Sequence, residues 1–239
     1  MTLLFHIGID PATHKMGVSV ITHEGVALRP LEAFDGKQWS PHQTLSGGSK
    51  RDVHLRLRVL EDALFDYFDS LKLAIYGIYG KKDWAIASIG IERPVMNTYV
   101  QKGEDGKTKN RFDTTFALGR AFQMVVATAH ELHIIFDYTF PIYEVLPSES
   151  SVALGLTTFA TKKARNRRCA SLEGGILIEQ DEKKSDKDLV RGGRLHGCGP
   201  DSLDAYAAAH AARKRYIEEQ LATQARRESS KPSRKKKAA

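Results

Sequence analysis

Four carboxylates stand at positions from which a sheet and a helix could gather them. Asp10 closes an apolar run, Phe5-His-Ile-Gly-Ile-Asp10-Pro, ahead of a tight loop and a second run from Gly17. Glu92 closes another, Ala85-Ile-Ala-Ser-Ile-Gly-Ile91. Asp201 and Asp204 lie three apart at the head of an Ala-rich segment, so both project from one face of a first helical turn. Each acid also has an ordinary reading: Asp10 as a turn residue, Glu92 as the partner of Arg93, and the two late acids as complements to a helix dipole. Together they form a less ordinary pattern. Carboxylates gathered in one place repel unless cations hold them, and an all-oxygen donor set selects Mg²⁺ or Mn²⁺. Two such ions about 4 Å apart serve in-line phosphoryl transfer.

The elements that must position these acids follow from periodicity. Residues 3–9, 17–23 and about 25–34 read as three strands joined by short turns, with a polar loop from Gly36 to Ser49. Val53, Leu57, Leu60, Leu64, Phe68 and Leu71 recur at steps of three and four, the core face of an amphipathic helix. A linker follows over Gly77–Asp83. The run at 85–91 is too apolar for an edge strand. Asn97 to Arg111 has the composition of a mobile loop, and Leu118, Phe122, Val125, Ala129 and Leu132 mark the helix after it. A strand near Ile142–Leu146 leads into Pro147-Ser148, with Ser148 as the expected N-cap. A basic helix is expected over 161–172 and an irregular stretch over 174–199. A last helix runs from Pro200-Asp201 to about Arg226, its alanines suited to close packing on a sheet. The order predicts one α/β domain over 1–225 with a mixed sheet of about five strands, three antiparallel and then parallel additions, flanked by helices. Residues 226–239 are expected to form a disordered basic tail.

Composition narrows the function classes. No apolar run is long enough to span a membrane, and no secretory signal is evident at the N-terminus. Two cysteines, Cys169 and Cys198, are too few for a disulfide framework, so an intracellular setting is expected. The formal charge is +7, but seven Lys/Arg and one acid lie from Arg226 onward, which leaves the body near neutrality. The basic run of Lys162, Lys163, Arg165, Arg167 and Arg168 is a solvated helix face or a contact for a nucleic-acid backbone, and the acids beside it favour the second. His196 and Cys198, two apart, lack the second pair that a zinc site needs. His196 is read as a surface residue or an aid to proton transfer, and His130 and His133 as structural or exposed.

The ordered set of motifs resembles the RuvC family of Holliday-junction resolvases, within the RNase H-like superfamily. Gly8-Ile-Asp10-Pro with Gly17-Val, then Ile91-Glu92, then Asp201-Ser-Leu-Asp204-Ala-Tyr-Ala-Ala-Ala-His210 carry the resemblance. Leu118-Gly-Arg-Ala, Tyr143-Glu-Val-Leu-Pro-Ser-Glu-Ser-Ser-Val-Ala-Leu-Gly155 and Ala160-Thr-Lys-Lys163 extend it over most of residues 3–212. The resemblance implies an RNase H-like fold, a homodimer, two Mg²⁺ per site with Mn²⁺ as a substitute, and paired nicks in a four-way junction that leave 5′-phosphate and 3′-hydroxyl ends. It makes Asp10, Glu92, Asp201 and Asp204 both catalytic and metal-binding, with Lys162 or Lys163 as a catalytic cation. Tyr99, Lys102, Lys107, Lys109 and Arg111 in the loop, and Arg165, Arg167 and Arg168 in the basic helix, are the expected DNA contacts. The chain departs from the family where Ser150 and Ser151 replace an expected Lys, and where Val95 and Met96 replace an aromatic wedge. The loop insertion at 97–111 and the C-terminal extension suggest a phage, viral or otherwise divergent member. Other RNase H-superfamily nucleases, acting on flaps or RNA–DNA hybrids, remain as alternatives. Gly-Ile-Asp followed by Gly-Val also opens actin-like and sugar-kinase ATPases, but their later glycine-rich adenosine motif is missing here.

Overall fold

Strand β1 (Leu3–Asp10) alternates by size, and that alternation divides the molecule into two layers. Phe5, Ile7 and Ile9 enter the main hydrophobic core, while His6, Gly8 and Asp10 point to the opposite face of the sheet. The computed structural model describes residues 2–32, 38–48, 52–80, 83–94, 101–102, 108–109, 112–172 and 201–229. Strand β2 (Lys15–Thr22) pairs antiparallel with β1 and sets Gly17 opposite Asp10. The short strands β3 (Leu31–Glu32) and β4 (Gln38–Trp39) form a separate ribbon, and β5 (Gln43–Ser46) pairs antiparallel with β2. Strands β6 (Trp84–Glu92) and β9 (Ile142–Val145) add in parallel, giving the order β5-β2-β1-β6-β9. This is the expected RNase H-like mixed five-stranded sheet, with β1 at its centre.

Two long helices cover the apolar face. In α1 (Val53–Tyr79), the Asp52 side chain accepts from the backbone N–H groups of His54 (2.7 Å) and Leu55 (3.3 Å), and Leu57, Leu60, Leu64, Phe68 and Leu71 pack on the sheet. The apolar stripe continues through Ala74 and Ile75, so the helix extends into the expected linker and stops only at Gly80, whose φ of 71° suits glycine. In α2 (Phe112–Phe136), Ala121, Phe122, Val125, Ala129 and Leu132 complete this core.

The other face receives one helix at very short range. Helix α5 (Asp201–Ser229) lies across β1, β2 and β6, and its residues Ser202 through Ala212 are all buried. Three strands present glycine beneath it. A Cβ on Gly8 would fall 1.7 Å from the Ala205 carbonyl oxygen, one on Gly17 2.1 Å from that of Asp201, and one on Gly90 2.5 Å from that of Ala208. Helix and sheet thus meet backbone to backbone, which requires glycine below and small residues above. Helices α3 (Pro147–Ala153) and α4 (Lys162–Leu172) flank α5, so Ser202 through Ala212 have no solvent face.

Several expected boundaries differ. The third sheet strand is β5, within the expected polar loop. Over 25–34, Ala27 makes an isolated bridge to Ile21, and the buried Leu28 and Leu31 fill the core. An edge strand of four residues with one inward Leu45 has no periodicity to read. The N-cap of α3 is Leu146, not Ser148, because the Glu149 side chain accepts the Leu146 N–H at 2.7 Å and Pro147 takes the first helical position. Within the expected mobile loop, β7 (Gln101–Lys102) and β8 (Thr108–Lys109) pair antiparallel. Helix α5 continues to Ser229, past the expected end near Arg226. The expected irregular stretch at 174–199, with His196 and Cys198, lies outside the described residues.

Candidate active site

The sheet register delivers the first two acids. Ile9 pairs with Ile91 in the parallel β1–β6 ladder, which sets the next residues, Asp10 and Glu92, side by side at adjacent strand ends. Both are in phase with the glycines of their strands and so face α5. Gly17, paired with Asp10, admits the start of α5 so closely that the Asp201 backbone rests on it. The first turn of α5 therefore sits over both strand ends and brings Asp201 and Asp204 to them. The four carboxylates share one local field. Burial pushes the Asp10 carboxyl well above the ordinary carboxylate range, and Asp204, Glu92 and Asp201 push it further. Glu92 is raised to about 7, by burial first and then by Asp204.

Helix α4 supplies cations to this field. Lys162 Nζ pairs with Asp204 Oδ2, and Arg165 Nη2 lies 3.1 Å from Asp204 Oδ1 and 3.7 Å from Glu92 Oε1. Arg165 Nη1 also donates to the Pro147 carbonyl at 3.2 Å. Ser150 Oγ donates to Glu92 Oε2 at 3.5 Å. Of the two candidate lysines, Lys162 reaches the acids; no contact of the exposed Lys163 with them is seen. Arg165, expected on DNA, is instead buried with its guanidinium turned inward onto Asp204 and Glu92. Its i,i+3 spacing puts it on one helical face with Lys162, although the same spacing relates it to the exposed Arg168. Arg167 and Arg168 are exposed, and Arg168 Nε donates to the Leu154 carbonyl at 2.9 Å. Tyr99, Lys107 and Arg111 lie outside the described residues, and Lys102 and Lys109 are described only as backbone in the β7–β8 ribbon. His133 is structural, with Nε2 3.0 Å from the Phe140 carbonyl, and His130 is exposed.

An all-carboxylate donor set suits a hard divalent ion in its chemistry. Its present arrangement is another matter. Among the described residues, no three Asp, Glu, His or Cys side chains are disposed to share one ion. Both Asp204 oxygens and one Glu92 oxygen face α4 cations. The set therefore fits Mg²⁺ or Mn²⁺ by donor type and excess negative charge, provided that the Lys162 ammonium gives up Asp204.

The sequence matches no protein-family model and no curated protein. Solved structures do match. Thermus thermophilus RuvC, in a complex with a Holliday-junction substrate, aligns with 92% of this chain and 96% of its own, at TM-score 0.50 and 13% identity. A second structure of Thermus thermophilus RuvC aligns with 92% and 97% of the two chains, at TM-score 0.50 and 12% identity. This chain has a RuvC-like fold. In it, the RuvC-like sheet carries Asp10 and Glu92 at adjacent strand ends, and its capping helix carries Asp201 and Asp204. Among the described residues, no helix is long and apolar enough to cross a membrane.

Proposed function

We propose that this chain is an intracellular, divalent-metal-dependent endonuclease that resolves four-way DNA junctions by paired nicks, acting as a homodimer. The observation that carries the proposal is the convergence of Asp10, Glu92, Asp201 and Asp204 at one end of a RuvC-like sheet, beside a basic helix. These acids would hold Mg²⁺ or Mn²⁺ as a pair of ions. Bound there, the metal supplies Lewis-acid charge to the attacking water and to the leaving oxygen of the phosphodiester.

The chain's own residues have separable parts. Arg165 holds Asp204 and Glu92 in fixed orientation from inside the protein, while Ser150 steadies the other Glu92 oxygen. Lys162, half exposed at the rim, offers positive charge where a phosphate must approach an acidic cluster. The exposed Lys163, Arg167 and Arg168 on the same helix give a sequence-independent attraction to the DNA backbone. The Lys/Arg run after Ser229 adds to it. The nuclease domain occupies 1–225 in this reading, with the basic segment appended.

The test is incubation with Mg²⁺ and a labelled four-way junction, a linear duplex, a flap and an RNA–DNA hybrid. Symmetric nicks in the junction, lost in Asp10→Asn protein and in excess EDTA, support the proposal. Unchanged cleavage under either condition refutes it. Faster cleavage of the hybrid or flap would reassign the substrate within the same superfamily.

A further inference from the structure

We infer that Lys162 is a displaceable stand-in for a divalent cation on Asp204, whereas Arg165 is the permanent counter-ion of the same cluster. The inference rests on reading the four acids as a metal site. Asp204 is almost wholly buried, and both its oxygens are taken, Oδ1 by Arg165 and Oδ2 by Lys162. A buried carboxylate without a cation is strongly unfavourable, so this pairing is what a metal-free cluster requires. Both cations compete by charge with an ion entering at Asp204, and its binding favours the departure of one of them.

The surroundings decide which one leaves. The Arg165 side chain is 9% exposed and is fastened at Asp204, Glu92 and Pro147. Withdrawing it would leave buried Glu92 without that cation, Asp204 with Lys162 in its place, and the Pro147 carbonyl without that donor. Lys162 is 56% exposed, and among the described residues its ion pair is with Asp204. An ammonium on a flexible stem at the surface regains its hydration when it swings out, which a buried planar guanidinium cannot do. The charge balance agrees. Releasing Lys162 removes one positive charge from the acids at the moment a divalent ion brings two. The freed ammonium then stands at the mouth of the site, available to a phosphate oxygen. Metal entry and backbone contact are thereby coupled through one side chain.

The experiment is calorimetric titration of Mn²⁺, without DNA, into EDTA-stripped full-length protein as wild type, Lys162→Gln, Lys162→Arg and Asp204→Asn. Lys162→Gln should bind the ion on the order of tenfold more tightly than wild type, because it removes a competitor whose coupling lies in the usual range. Lys162→Arg should bind it more weakly, since a forked guanidinium is harder to displace. Thermal unfolding gives a second readout. Lys162→Gln should melt lower than wild type in EDTA and gain more from Mn²⁺. Equal or weaker Mn²⁺ binding by Lys162→Gln overturns the stand-in role while leaving the metal site intact. No Mn²⁺ binding by wild type, or wild-type binding by Asp204→Asn, overturns the metal reading of Asp204 and this inference with it.

Discussion

The packing of Gly8 beneath helix α5 offers a sharp test. Replacing Gly8 by Ala puts a methyl group 1.7 Å from the Ala205 carbonyl oxygen, where ordinary contact begins near 3.4 Å. Helix α5 must therefore retreat from β1 by about 1.7 Å, the difference of the two. It has little room, since Ser202 through Ala212 are buried on every side. Overpacking costs about 1–3 kcal/mol, and the upper end applies where backbone meets backbone. The lost flexibility of the unfolded chain returns about 0.4–1 kcal/mol, for a net loss of about 2 kcal/mol or more. Gly48→Ala is the control. Its φ is +75° with nothing within 4 Å of an added Cβ, so left-handed strain of about 1–2 kcal/mol is the sole penalty and α5 stays in place. Urea unfolding measures both. A reactive-thiol assay adds a local readout, because Cys169 is buried with Sγ 3.8 Å from the Leu203 carbonyl, and a retreating helix should expose it in Gly8→Ala alone. A Gly8→Ala loss no greater than that of Gly48→Ala, with Cys169 still protected, would refute the argument that these glycines set the helix position.

Further expectations concern charge. Glu92, raised to about 7 by burial and Asp204, carries a destabilisation that begins near pH 4.5, grows up to pH 7 and is complete above it. In EDTA at pH 8, Glu92→Gln should be more stable than wild type by about 2–3 kcal/mol, with the gain below about 1 kcal/mol at pH 5, although junction nicking is lost. Denaturant titrations at the two pH values check this, and a variant less stable than wild type at pH 8 would contradict it. His6 and His210 behave oppositely. Burial holds them down to about 3 and about 4, so the folded protein keeps them neutral while the unfolded chain protonates below 6.5. Stability from these groups is lost as pH falls through 6.5, by about 2 kcal/mol per residue at pH 5. Between pH 7 and pH 5, His210→Asn should lose about 2 kcal/mol less than wild type. Parallel pH profiles would count against a buried neutral His210.

The acids themselves were legible in the linear chain because each closes or opens a strongly patterned segment. An apolar run ending in a carboxylate specifies a strand that presents it, and Asp-x-x-Asp before alanines specifies a helix with both acids on its first turn. The alanines of α5 likewise announced close packing on a sheet. Strand β5 and the Leu146 cap were not legible, because four edge residues carry no period and the cap depends on Glu149 reaching back. Above all, the basic run at 162–168 has one composition but two fates. Only packing against α5 and Pro147 turns Arg165 inward and leaves Arg167 and Arg168 in solvent. Local pattern determined which residues the elements present. Which cation meets which acid depends on contacts between residues far apart in the chain, which only the tertiary structure brings together.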